Sequence, residues 1–233
     1  MADTAIRELQ QAVRIDVGAG VVLAGDLDIP AAAIGLVLFA HGSGSSRHSL
    51  RNRTVAAALR EVGLGTLLMD LLTPEEEEID LRTRRLRFDI PLLAGRLVGA
   101  ADWLSREPST AGLPIGCFGA STGGGAALVA AARRPDLIHA VVSRGGRPDL
   151  AGDDLALVEA PTLLVVGGHD DQVIELNRWA CLRLAAPCEL RIVPGATHLF
   201  EEPGALELVA QLAAAWFVRH LGGRTEDPGP VAR

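Results

Sequence analysis

The sequence predicts an α/β fold: a mostly parallel central sheet, helices on both faces, and no large lid domain. Three observations lead there. Strand-like and helix-like segments alternate through most of the 233 residues. The inner apolar runs, such as 34–40, are continuous, as strands buried on both faces require. The segments after 137–142 are short, leaving no room for an inserted lid.

The elements follow in order. Residues 13–17 and 21–27 read as an antiparallel hairpin around Gly18-Ala19-Gly20. Residues 34–40 form a buried strand. Residues 50–62 carry helical apolar spacing (Val55, Leu59, Val62) and stop at Gly63. Residues 65–69 are the next strand. Thr73-Pro74-Glu75 opens an acidic segment that reads as a solvated helix start, with Arg82, Arg84, Arg85 and Arg87 as surface partners for its glutamates. Residues 88–105 form a long helix, interrupted early by Pro91. Residues 113–118 are a strand, and 123–133 a helix of small residues. Strands at 137–142, 162–166 and 190–193 alternate with helices at 173–184 and 203–220. A single domain is expected over 1–221, with a Gly/Pro-rich polar tail at 222–233.

Composition narrows the chemistry. There are 29 acidic and 22 basic residues, a formal charge of −7, which argues against nucleic acid or an anionic membrane as partner. Every basic residue is Arg. The missing Lys removes Schiff bases, a phosphate-loop lysine and a Ser–Lys dyad. Cys117, Cys181 and Cys188 show no ligand spacing and no even framework, so a reducing cytoplasm is the expected compartment. The polar start of the chain is not that of a secretory signal, and the longest apolar run, 31–40, is too short to span a bilayer. No metal-site spacing occurs.

Gly119-Ala120-Ser121-Thr122-Gly123 stands where the apolar strand 113–118 meets the helix 123–133. By chance a G-x-S-x-G arises about 0.1 times in such a chain, so the context carries the weight. A strand running into a tight Gly-flanked turn and then a helix lifts a serine hydroxyl above the sheet edge, where it serves as nucleophile. A serine needs an imidazole to take its proton and a carboxylate to orient that imidazole. Asp170 follows the strand 162–166, and His198 follows the last strand. Their order after Ser121 and their places at strand ends make them the partners. Asp171 is the competing acid, and Asp149 a lesser rival. The turn His41-Gly42-Ser43-Gly44-Ser45-Ser46 follows the strand 34–40. The Ser43 and Thr122 N–H groups are the expected oxyanion donors. His41, Arg47 and Arg144 are the candidate substrate contacts, although His41 reads more readily as a donor that orders its loop. Arg47, His48, Arg51 and Asn52 read either as contacts to an anionic substrate or as a solvated helix start. Arg147 lies in the same loop as Arg144, at the expected active-site end, and is read for substrate contact on the same ground.

With these motifs in place, the chain resembles the α/β-hydrolase superfamily, and within it the dienelactone hydrolase-like group, over roughly residues 21–220. The likeness rests on the 41–46 turn, Gly119-Ala120-Ser121-Thr122-Gly123-Gly124, Gly167-Gly168-His169-Asp170 and Pro194-Gly195-Ala196-Thr197-His198. It implies a compact lidless fold, no metal, no organic cofactor, and Ser121, Asp170 and His198 as a triad. Authentic dienelactone hydrolases carry Cys at the nucleophile position, where this chain has Ser121. Some similar domains stand beside phosphoribosyltransferase domains, which leaves a nucleotide-linked role open. The expected function is hydrolysis of small carboxylic esters, thioesters or lactones through an acyl-enzyme. The alternative is a non-catalytic binding or scaffold module on the same fold. Nothing in the sequence sets the oligomeric state.

Overall fold

The computed structural model describes residues 8–223. Apart from Gly222 and Gly223, the expected tail lies outside the described residues. Eight strands form one sheet: β1 (Leu9–Asp16), β2 (Val22–Ile29), β3 (Gly35–Ala40), β4 (Leu64–Met69), β5 (Ile115–Ala120), β6 (Ile138–Arg144), β7 (Thr162–Gly167) and β8 (Cys188–Val193). Their order is β1-β2-β4-β3-β5-β6-β7-β8. The expected hairpin is β1–β2, which adds an antiparallel edge; β3 to β8 are parallel.

The helices are α1 (Leu50–Glu61), α2 (Pro74–Thr83), α3 (Ile90–Arg106), α4 (Thr122–Arg133), α5 (Asp171–Cys181) and α6 (Ala205–Leu221). Two apolar layers form on opposite faces of the sheet. Helices α1 and α6 close one with Val55, Leu59, Val209 and Phe217; α3 and α4 close the other with Leu93, Leu97, Leu104 and Leu128. Each such side chain contributes about 1.5–3 kcal/mol. Phe39 and Phe118, on adjacent strands, meet at 5.0 Å between ring centres. Helix α4 is buried from Thr122 to Ala131. Its glycines, which lack a Cβ, and the small methyls of its alanines let it lie close against the sheet; a Cβ on Gly123 would fall 2.3 Å from the Ala40 carbonyl oxygen.

Several local expectations change. Pro91 does not interrupt α3. It lies in the first turn, where its missing N–H costs nothing, and Asp89 caps the helix by accepting from the Leu92 N–H. The acidic segment is a true helix, held by reciprocal bonds between Thr73 and Glu76. Glu76 pairs with Arg96 of α3, and Arg87 pairs with Asp80, rather than the surface pairing expected between glutamates and arginines. Strand β6 runs on through Ser143 and Arg144. Cys181 and Cys188 form a disulfide across the α5–β8 connection, with Cα atoms 5.6 Å apart. This corrects the reading of no cysteine pairing, because the short turn returns the chain on itself. Cysteine content therefore gives no support for a reducing compartment. Among the described residues no helix is long and apolar enough to cross a membrane.

Candidate active site

The sheet order reverses around β3: β4 lies on one side of it and β5 on the other. A crevice forms at such a reversal, outside the carboxyl ends of the strands. Register then decides what meets there. Ala40 pairs with Gly119, and Ala120 with Arg144, so β3, β5 and β6 end side by side. The turn after β3, Ser121 and the end of β6 share one rim.

Ser121 has φ 51° and ψ −120°, a left-handed backbone for a residue bearing a Cβ. Such conformations cost about 1–3 kcal/mol and persist only where neighbours hold them. Here the Ser121 N–H donates to the Arg144 carbonyl at 3.1 Å, and its own carbonyl accepts from Gly124 and Arg147. Close packing demands glycine beside it. A Cβ on Gly119 would fall 2.5 Å from the Gly123 carbonyl oxygen, and one on Gly42 would crowd the Ala120 carbonyl oxygen and Ser121 Cβ at 3.2 Å.

The other two members come from β7 and β8, whose ends are also in register at Gly167 and Val193. Their loops are tied together by Gly168 N–H to Val193 O at 2.8 Å and His169 N–H to Ala196 O at 2.9 Å. Asp170 sits at the N-cap of α5 but makes no capping bond. Its Oδ2 instead lies 2.6 Å from His198 Nδ1, and His198 Nε2 lies 3.3 Å from Ser121 Oγ. A carboxylate can only accept, so Nδ1 carries the proton and Nε2 is left to accept from the serine. Asp170 is thus the acid brought to His198. Asp171 begins α5, and Asp149 is engaged by both Arg147 Nε and Nη2 at 2.8 and 2.7 Å. Arg147 is held by that pair and is not among the residues that line the cleft with Ser121.

Ser43 and Thr122 flank the same rim. Both line one small pocket with His41, Gly42 and Gly44, and Ser43 also borders the cleft that holds Ser121. Of the three candidate substrate contacts, the structure brings only Arg144 to Ser121. His41 accepts from the Leu71 N–H through Nε2 and donates from Nδ1 to the Gly42 carbonyl, which uses both ring nitrogens within the loop. Burial holds its pKa below the ordinary histidine value, despite the opposing pull of that carbonyl. Arg47 turns away to Asp70 and also faces Asp26 at 3.8 Å. Its partner lies 23 residues on, beyond the reach of a local reading. Arg144 is 7% exposed and joins Ser121, His198, Arg51, Asn52 and Leu199 in lining a cleft of about 190 Å³. Leu199 is an addition to the sequence-derived set, since only the turn after β8 brings it there. Cys117 is buried in β5, and burial pushes its thiol up to about 12, so it stays an inert core group.

A buried pair supports the 41–46 turn from below. Asp80 accepts from the Leu86 and Arg87 N–H groups and from Arg87 Nε at 2.5 Å. Burial alone would raise its carboxyl. The Arg87 and Leu86 N–H bonds and the guanidinium offset this and hold it below the usual range. Arg87 Nη1 reaches under Gly44, to within 3.1 Å of where a Cβ would stand. Asp80→Ala leaves that cation without its partner. The expected loss is about 3 kcal/mol, read as a lower midpoint in urea unfolding.

The architecture and the placement of these residues are those of an α/β-hydrolase. No family model matches the chain. A dienelactone hydrolase from Anabaena variabilis, solved by crystallography, is 63% identical, with a TM-score of 0.90 over 92% of this chain and 99% of that one. The chain belongs to the dienelactone hydrolase-like group. Est1E from Butyrivibrio proteoclasticus, 20% identical, shares the fold at a TM-score of 0.74 over 89% of this chain and 98% of its own. Two curated relatives from Mycobacterium tuberculosis, provisionally named phosphoribosyl transferases, are each 57% identical over 229 residues, 98% of this chain and 49% of theirs. The chain thus spans about half the length of the curated relatives it matches.

Proposed function

We propose that the chain hydrolyses small carboxylic esters, thioesters or lactones through an acyl-enzyme on Ser121. The observation that carries this is the continuous line from Asp170 to His198 to Ser121 Oγ at a strained turn. In the reading, Oγ attacks the carbonyl carbon as its proton passes to His198 Nε2. The Ser43 and Thr122 N–H groups hold the resulting oxyanion, each donor worth about 3 kcal/mol in such sites. The carbonyl re-forms, the bond to the leaving group breaks, and His198 returns the proton to that group. Water then attacks the acyl-enzyme by the same steps, releasing acid and restoring Ser121. The 3.3 Å separation between Nε2 and Oγ is long, as in many unliganded sites that tighten on binding substrate. The 63% identical dienelactone hydrolase supports ester-type chemistry, a lactone being an internal ester.

The test is labelling with a fluorophosphonate followed by peptide mapping. The expected adduct is on Ser121, with labelling strongly reduced in His198→Ala. A folded protein that takes no label would favour a ligand-binding module on this fold instead.

A further inference from the structure

We propose that the outer edge of β8 is an interaction surface for a second copy of this chain, the two β8 strands pairing antiparallel about Leu190 to join two sheets. The inference goes beyond the hydrolase reading and does not depend on it. Strand β8 ends the sheet order, so among the described residues one of its sides has no neighbouring strand. The hydrogen bonds to β7 fix which residues face that side. Thr162 N–H donates to Pro187 O at 2.9 Å, and Gly168 N–H donates to Val193 O at 2.8 Å. Between these bonds the parallel register runs unbroken, from Thr162 opposite Cys188 to Gly167 opposite Val193. Backbone groups alternate in direction along a strand, so residues 187, 189, 191 and 193 bond inward to β7. Cys188, Leu190 and Ile192 therefore point their N–H and C=O groups outward. The row stops there: Pro194 has no N–H to extend it, and the Ala186 N–H is taken by Val158 O. Such a row of unpaired donors and acceptors is a template for another strand.

The side chains of β8 say which strand fits. Glu189 and Arg191 share the face that carries α6, where Glu189 also lies 3.7 Å from Arg219. They pair with each other at 2.7 Å, with 37% and 57% of their side chains exposed. On the opposite face Leu190 packs against Val173 and Ile174, and Ile192 is 40% exposed. Two copies related by a two-fold axis present this same edge to each other. Outward residues must then lie opposite outward residues. With Leu190 opposite Leu190, Cys188 faces Ile192, and Glu189 of each copy faces Arg191 of the other. All three outward residues find partners. Moving the axis to residue 189 sets glutamate against glutamate, and moving it to 191 sets arginine against arginine. Each move also strands one outward residue against Ala186 or Pro194. Opposite charges facing across strands stabilise a pair, and like charges destabilise it. The charges of β8 thus match a second β8 in one register and reject its neighbours. The contact is non-covalent, because Cys188 is already bonded to Cys181.

The experiment is analytical ultracentrifugation of the chain from about 1 to about 300 µM, a range that covers a reversible homodimer. The mass should rise from one copy to two across it. Glu189→Arg and Arg191→Glu each set like charges against each other in both facing pairs. Each should raise the dissociation constant about 10-fold or more. The double variant carrying both exchanges restores opposite charges and should return to within about threefold of the parent. An equimolar mixture of the two single variants should do the same, by pairing one with the other. A defect in folding at either position would not be repaired in this way. Amide exchange supplies a second readout. The Leu190 and Ile192 N–H groups should exchange more slowly as concentration rises, while those of Glu189 and Arg191, already bonded to β7, should not change. A chain that stays single throughout the range overturns the proposal and leaves the edge to some other protein. A dimer unmoved by either single variant overturns it too, as does a loss that the double variant fails to repair. So does a Leu190 amide that exchanges equally fast in monomer and dimer, which places the interface elsewhere.

Discussion

Ser121→Ala should lower the turnover of a simple ester by about 10⁶-fold while leaving the fold intact. The size follows from what is removed. On the proposed mechanism the substitution deletes the atom that forms the covalent bond, and His198 then has no proton to accept. The Ser43 and Thr122 N–H groups remain, so a residual rate above that in water should persist. The backbone at 121 stays left-handed in either residue, so its strain does not change. Circular dichroism and the urea midpoint should therefore match the parent. A variant that keeps more than about a tenth of parental activity would remove Ser121 from the mechanism.

Asp170→Asn is the second large effect. Its amide occupies nearly the same space, but its NH₂ can donate to Nδ1. That favours the tautomer with the proton on Nε2, which faces Ser121 and can no longer accept. The expected fall in kcat is about 10⁴-fold, with KM little changed. Asp171→Asn is the matched control, because that side chain belongs to the first turn of α5. A large loss at Asp171 with a small one at Asp170 would exchange the roles of the two carboxylates.

The alternation of apolar strands and helices was readable because hydrophobic period and turn residues are local signals. Ser121 was readable because the G-x-S-x-G turn sits between a strand and a helix, and Asp170 and His198 because they follow later strands in order. Pairings across distance were not readable. Arg47 looks free in the sequence, and only the packing of the β3 turn against the end of β4 shows Asp70 taking it up. Arg87 stands beside three other arginines, and the fold singles it out by burying Asp80 beneath it. Cys181 and Cys188 meet because a turn reverses the chain. Arg144 was placed at the rim where β6 ends, but that it makes no ion pair among the described residues could not be read from the sequence.

The flush seating of α4 has a consequence for how such an enzyme changes its preferences. Between Thr122 and Ala131 every residue is buried, so a bulkier replacement would lift the helix and shift the serine with it. Changes that alter substrate scope without unseating the serine are therefore expected at the start of α1 and in the segment following β8. A library randomised there should yield altered substrate scope, whereas one aimed at the small-residue helix should yield mostly insoluble protein.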